Sequence, residues 1–330
     1  MNAPSPEKVM QLVSAGWACS ILGSAARHGI FNHLDEPGDD ADGLAERAGI
    51  SRRGAQALLD GLTGLGLLTL SDGKYRNGPE ASLYLMKGKP SYLGGMAEVM
   101  MDDLPVWAQL HEAVRSGTPQ APNTADEANN PFWERLVPAI AALSAPVVQM
   151  AAERLGLAKA GAVSWLDVGG GSGIWSAIWL GVNPQAHGVQ LDWPNVNKIA
   201  RGFVAKFGVA DRFETIDGDF HTTEYGTAKY DFAIYGHIAH QETPADNVAV
   251  FQKFREALKP GGTLLINDFI LTDDRTGHPF AMMFSSQMLL GTKAGFTYRH
   301  GDYRKWLGEA GFESVEIMPT PTPATVLFAR

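Results

Sequence analysis

The sequence predicts an α/β protein, with an open, mostly parallel sheet in its C-terminal part and a smaller, mainly helical N-terminal domain. Three observations carry this. From residue 164 onward the apolar runs SWLDV, HGVQLD, RFETIDGD, YDFAIY and GTLLIND alternate with helical stretches, the rhythm of βαβ units. The first run opens into GGGSG, four glycines in five positions, and then into a helical pattern. Up to about residue 94 the pattern differs, with short helices closed by a small hairpin. At 330 residues the chain is long for one core, and we expect domains at 1–110 and 111–330.

Within the first domain, residues 9–28 read as an apolar, Ala-rich helix ending at Gly29, more apolar than one amphipathic face requires. ADGLAERA, 41–48, is a short helix. Ser51 can N-cap the next one, which runs through Ala55, Leu58, Leu59 and Leu62. LGLLTLSDGKYRNG supplies two short strands about an Asp72-Gly73 turn. Helix, helix, hairpin is the winged-helix pattern. Pro and Asn then cluster in SGTPQAPNTADEANNP, 116–131, a loop between the halves, and a long helical stretch covers 132–155. At the far end VEIMPT and ATVLFAR, separated by a Pro-rich turn, read as an antiparallel hairpin at the sheet edge. Lys259-Pro-Gly-Gly and Asp273-Asp274-Arg275 read as structural, a tight turn and a loop pin.

Composition narrows the function. Hydrophobic residues make up 45% and charged residues 19%, the balance of a globular protein. Net charge is −9 with no Lys/Arg run, which argues against a dedicated nucleic-acid or anionic-membrane binder. The hairpin invites a DNA-binding reading, but residues 1–100 carry nine Lys/Arg against eleven Asp/Glu. Such a face supplies few phosphate contacts, and its leucine-rich helices suit a subunit interface better. The single cysteine, Cys19, excludes an internal disulfide and a thiolate zinc cluster. MNAPSPEKVM lacks the basic start and apolar core of a signal peptide, and no stretch approaches the roughly 18 uninterrupted apolar residues of a membrane span. We expect a soluble, cytoplasmic protein.

Glycines after a first strand allow unusual backbone angles and remove the side chain that would hold a ligand away. A phosphate-binding loop needs Lys-Ser/Thr after its last glycine, and Gly173 is followed by Ile174-Trp175. A dinucleotide fingerprint, G-x-G-x-x-G, fails from Gly169, which meets Ile174, and from Gly171, which meets Ser176. What remains is G-x-G-x-G, Gly169, Gly171 and Gly173, behind Asp167. That form resembles motif I of S-adenosylmethionine (SAM) methyltransferases. A carboxylate near the turn suits the ammonium group of SAM, and Asp192, closing VQLD beside Trp193, suits both ribose hydroxyls. A dehydrogenase also places an acid there. Asp219 in GDF discriminates better, since it can accept from the adenine amino group with Phe220 against the ring. The bland alternative is a glycine turn that merely permits tight strand–helix packing.

Over nearly the whole chain the sequence resembles the small-molecule O-methyltransferases of the plant phenolic, acetylserotonin and bacterial polyketide type. GLTGLGLL with its wing, LDVGGGSG, GDF, YGHIAHQETPADN, LKPGG, DFILTDDRTG, MLLGTKAG and WLGEAGF occur in order. The resemblance implies a Rossmann-like SAM-dependent methyltransferase domain behind an N-terminal winged-helix dimerisation domain. It implies a homodimer, SAM as cofactor with S-adenosylhomocysteine (SAH) as product, no metal, and an aromatic or polyketide-like acceptor. C- or N-methylation, or a homologue that holds SAM without transferring methyl, are the alternatives on the same scaffold.

Methyl transfer from a sulfonium is an in-line displacement, so the protein must align the acceptor and remove its proton. His240 in HIAHQET lies just beyond the fourth strand of the sheet, at its ligand end, and matches the base of these enzymes. Asp268, closing LLIND, matches the carboxylate that orients it. The structural alternative is a histidine capping the following helix, with Asp268 a loop anchor. Gln241 stands where plant-type relatives carry an acid, and Thr297 where they carry a second orienting carboxylate, so Asp268 alone is expected to hold the ring. Gly236 replaces a bulkier residue and is expected to widen the adenine side. His237 tempts a metal reading, without a third ligand established. Met288 falls where relatives pack a methionine on the acceptor. Phe132, Trp133, Leu136, Ile140, Met283, Phe284 and Leu289 are expected to line the same space, although apolar residues at helical spacing are more often core.

Overall fold

The computed structural model describes residues 5–122, 124–125 and 127–330. Met1–Pro4 of the leader reading, and Asn123 and Asp126 of the 116–131 loop, lie outside the described residues. The chain forms two compact units, 1–105 with 138–143, and 106–137 with 144–330.

The first unit opens with α1 (Glu7–Val13) and α2 (Ala15–Arg27) in place of one continuous helix. The break has a local cause. Ser14 Oγ donates to the carbonyls of Met10 and Gln11, competing with the helical pattern, and the two axes meet at 47°. Asp40 caps α3 (Ala41–Ala48) and Ser51 caps α4 (Arg52–Gly64) through its side chain. Strands β1 (Leu68–Ser71) and β2 (Lys74–Asn77) pair antiparallel about Asp72 and Gly73, both in the left-handed region that the two-residue turn requires. Helices α5 (Pro79–Tyr84) and α6 (Gly94–Asp102) complete the unit. Its core is Ile30, Phe31, Leu34, Leu44, Leu59 and Leu62 with their neighbours.

Next come α7 (Leu104–Trp107), α8 (Leu110–Ser116) and the long α9 (Pro131–Arg154). By length and apolarity α9 is the one continuous helix among the described residues that could cross a membrane. Its Val147, Val148, Ala151 and Ala152 are instead buried in the core beside the sheet.

That sheet has β3 (Ser164–Val168), α10 (Ile174–Val182), β4 (His187–Asp192), α11 (Pro194–Ala205), β5 (Phe213–Asp217), β6 (Tyr230–Gly236), α12 (Pro244–Ala257) and β7 (Leu258–Asp268). Then follow α13 (Pro279–Gly291), α14 (His300–Glu309) and the hairpin β8 (Val315–Pro319) and β9 (Thr325–Ala329). The strand order is β5-β4-β3-β6-β7-β9-β8, parallel through β7 and antiparallel at β9 and β8. Helices α9, α11, α12 and α13 each begin on proline, whose fixed φ and missing N–H suit the first helical position. Lys259-Pro-Gly-Gly belongs to β7 itself. The register shifts between Tyr230 and Phe232 there, and Gly261 has φ +79°, so the expected turn is an irregularity inside the strand. The carboxyl ends of β3, β4, β6 and β7 define one rim, where an open α/β sheet binds its ligands.

Candidate active site

At β3 the chain turns through Gly169, Gly171 and Gly173, all with positive φ. A Cβ on Gly169 would meet Ile238 at 2.6 Å. One on Gly170 would meet Gln190 Oε1 at 2.6 Å and Asp167 Oδ2 at 2.7 Å. The turn therefore wraps a buried polar set that leaves no room for side chains. Asp167 is buried, and neither of its oxygens has a partner among the described residues. Burial, and then the charge of Asp192, push its carboxyl well above the usual carboxylate range. Asp192 closes β4. Its Oδ2 accepts from Gly171 N at 2.9 Å and its Oδ1 from Trp193 N at 2.7 Å. Burial outweighs those two bonds and raises it to about 7.

Asp219 follows β5. Its Oδ1 accepts from the His221 backbone at 2.8 Å and lies 2.9 Å from His221 Nδ1, while Oδ2 forms no hydrogen bond among the described residues. Phe220 packs edge-on to Tyr235 with ring centres 6.2 Å apart. At the end of β6, Gly236 does leave space, but the indole Nε1 of Trp175 would sit 3.5 Å from a Cβ there and takes part of it.

His240 is 4% exposed and Asp268 is fully buried. The imidazole Nδ1 lies 2.5 Å from Asp268 Oδ1, and the His240 backbone donates to Oδ2 at 3.1 Å. Phe269 N donates to Oδ1 at 2.8 Å and the Tyr303 hydroxyl to Oδ2 at 2.9 Å. Burial alone would raise this carboxyl. The charges and hydrogen bonds of His240 and His237 outweigh it and hold Asp268 well below the carboxylate range. An ionised carboxylate can only accept, so the His240 proton sits on Nδ1. Nε2 forms no hydrogen bond among the described residues and its lone pair is available. Around the ring stand Phe284, edge-on at 4.8 Å, and Phe269, near-parallel at 6.1 Å, with Phe280 5.1 Å from Phe269.

His237, at φ +59°, packs on Phe269 at 4.6 Å and places Nδ1 3.8 Å from Asp268 Oδ1. His237, His240 and Asp268 thus bring three ligand-type atoms together. Asp268 and Asn267 already engage both rings, however. Thr297 is buried with its hydroxyl unpartnered and gives His240 no support. Tyr303 occupies the second supporting position, by way of Asp268.

Of the expected acceptor residues, Phe284 joins the His240 cluster and Met288 is buried in the same helix, α13. Leu289 is half-buried there, and Met283 is 63% exposed in the single chain, outside that cluster. Phe132 and Trp133 pack edge-on at 5.3 Å, with Leu136 half-buried one turn on. Their helix reaches the glycine turn, since Glu134 accepts from Asn195 and Val137 would meet a Gly171 Cβ at 3.6 Å. Ile140 falls in the first unit. Sequence reading missed Tyr303, Phe269, Phe280, His221 and Glu242. Phe269 alone carried a local signal, directly following Asp268 at a strand end.

Comparison with known proteins places the chain among O-methyltransferases. Residues 107–313 match the O-methyltransferase domain model and residues 10–87 the O-methyltransferase dimerisation domain model. The chain is 31% identical to 3-hydroxy-5-methyl-1-naphthoate 3-O-methyltransferase of Streptomyces sahachiroi, over 96% of this chain and 92% of that protein. It is also 31% identical to the tetracenomycin polyketide synthesis 8-O-methyl transferase of Streptomyces glaucescens, over 98% and 96%. A candidate O-methyltransferase structure from Nostoc punctiforme superposes with a TM-score of 0.91 at 25% identity, covering 99% of each chain.

Proposed function

This chain belongs to the O-methyltransferase family and is a SAM-dependent O-methyltransferase, and from that premise we propose that it methylates a hydroxyl of an aromatic, polyketide-like small molecule with His240 as general base. The observation that carries the reading is an imidazole among phenylalanines, its Nδ1 fixed by Asp268 and its Nε2 without a partner among the described residues. A phenol has an ordinary pKa of about 10 and histidine one of about 6.5, so a positioned Nε2 can take the proton as transfer develops. Asp268 stabilises the imidazolium that results, and Tyr303 keeps Asp268 from rotating away. Phe269, Phe284 and Met288 offer flat and polarizable surfaces to an aromatic acceptor. The names of the two Streptomyces relatives support the acceptor class.

When bound, SAM supplies an activated methyl group on its sulfonium. The residues fit it. Among the described residues Asp167 is a buried carboxyl without a donor beside the glycine turn, suited to an ammonium, and Asp219 has one oxygen without a hydrogen bond, suited to an amino group. Gly169, Gly171 and Gly173 let the backbone approach, Asp192 with Trp193 suits the ribose, and Phe220 and Gly236 border the adenine side. The dimerisation domain supports a homodimer, and the lone cysteine suits a reducing cytoplasm.

A panel of hydroxynaphthoates and polycyclic phenols, with SAM and product detection by mass, tests this. His240→Ala should lower turnover of whichever acceptor is methylated by about 10²- to 10⁴-fold with SAH binding retained. An unchanged rate would remove the general base.

A further inference from the structure

Two loops that frame the cofactor crevice come from strands that are not neighbours. The loop after β5 carries Asp219, and the loop after β6 carries His240, with β4 and β3 lying between those strands. One side chain spans them. His221 places Nδ1 2.9 Å from Asp219 Oδ1 and Nε2 2.8 Å from Glu242 Oε2. Glu242 is buried, two residues beyond His240, and its carbonyl accepts the Tyr298 hydroxyl at 2.6 Å. Both contacts of the imidazole are carboxylates, so both ring nitrogens must donate, which only the cationic ring can do. Glu242 chiefly, and Asp219 with it, push that ring up to about 9 against the effect of burial. The Phe220 ring packs on it at a tilt, with ring centres 4.2 Å apart.

We infer that His221 is a positioning residue that locks the Asp219 carboxylate and the His240 loop into one frame. Its ring and its own backbone N–H both hold Oδ1 of Asp219, which leaves Oδ2 for a ligand donor, and the ring ties that choice to the segment bearing the base. The inference rests on the assignment of Asp219 to the cofactor. The β5 loop does not depend on His221 for its fold, because Lys253 of α12 independently donates to the carbonyls of Phe220 at 2.7 Å and His221 at 3.0 Å.

Two substitutions divide the clamp. The amide nitrogen of Asn reaches where Nδ1 was, and that of Gln where Nε2 was. His221→Asn keeps the side-chain contact to Asp219 and cuts the tether; His221→Gln does the reverse, leaving Oδ1 to the backbone N–H alone. By calorimetry, His221→Gln should bind SAH about tenfold more weakly, the worth of one charge-assisted bond, and His221→Asn within about threefold of wild type. Amide hydrogen exchange at 239–242 in the unliganded protein should quicken about tenfold in His221→Asn and stay near wild type in His221→Gln. Wild-type affinity and exchange in both variants would reduce His221 to a surface ion pair. An equal loss in both, together with a lowered Tm, would make its role structural. Wild-type protein that fails to bind SAH would instead overturn the cofactor assignment, and the exchange data would still decide the tether.

Discussion

Asp167 and Asp268 are the same residue type, each 1% exposed or less, in two strands of one sheet, and they titrate in opposite directions. Asp268 is met by two imidazoles, a tyrosine hydroxyl and two backbone amides. Asp167 is met by none of these and faces a like charge. Burial pushes both upward, and at Asp167 it prevails because no described donor opposes it. The donor set makes the difference, and the contrast separates a finished half of the candidate site from a half whose carboxyl no described residue meets.

The largest effect should come from spoiling the finished half. Asp268→Asn keeps the volume but can turn an N–H toward His240, reversing the tautomer, and should cost about 10³- to 10⁴-fold in turnover with SAH affinity near wild type. A variant keeping a tenth of the activity would show that the acid does not orient the base. A smaller effect should follow in the unfinished half. Asp167→Asn removes a buried carboxyl whose ionised form burial and the charge of Asp192 disfavour, so Tm should hold or rise. SAH affinity by calorimetry should fall by about 10- to 100-fold with loss of the charge-assisted contact. Equal loss of Tm would mark Asp167 as a packing residue.

The mildest and sharpest test is pH. Asp192 is raised from an ordinary value near 3.9 to about 7, so its favourable contribution to the free protein is fully present below about pH 4 and is lost as pH rises through 7. A ligand that donates to the carboxylate reverses this. SAH should bind more tightly with rising pH across that window and should release protons near pH 7. Titrations in two buffers of different ionisation enthalpy read that release, and none would mean that Asp192 is ionised before the ligand arrives.

The parts of this molecule legible in the sequence are those set by near neighbours. Alternating runs located β3 to β7, the Asp-Gly pair located the β1–β2 turn, and Ser51 capped the helix that it precedes. That Asp167, the glycines, Asp192, His240 and Asp268 gather at one rim was readable because each lies at or just beyond the end of a strand, and strand ends of a parallel sheet share a rim. The partners that finish the chemistry were not readable. Tyr303 reaches Asp268 from 35 residues away, and His221 meets Glu242 across two intervening strands, so no local period announces either. The break at Ser14 was missed for the opposite reason. An apolar helical pattern runs through it unbroken, and a single hydroxyl bonding back to Met10 decides the bend.

Strand β9 enters between β7 and β8 although it is synthesised after both, and its Thr325 pairs with Asp268 itself. Emergence from the ribosome therefore matters to the two ends of the site differently. The segment from β3 to β6 can assemble the glycine turn and its carboxylates as soon as it is free. The acid behind the imidazole gains its flanking strand only after β8 has been made and left unpaired. On the proposed roles, the nascent chain completes its cofactor crevice before the carboxylate behind its base.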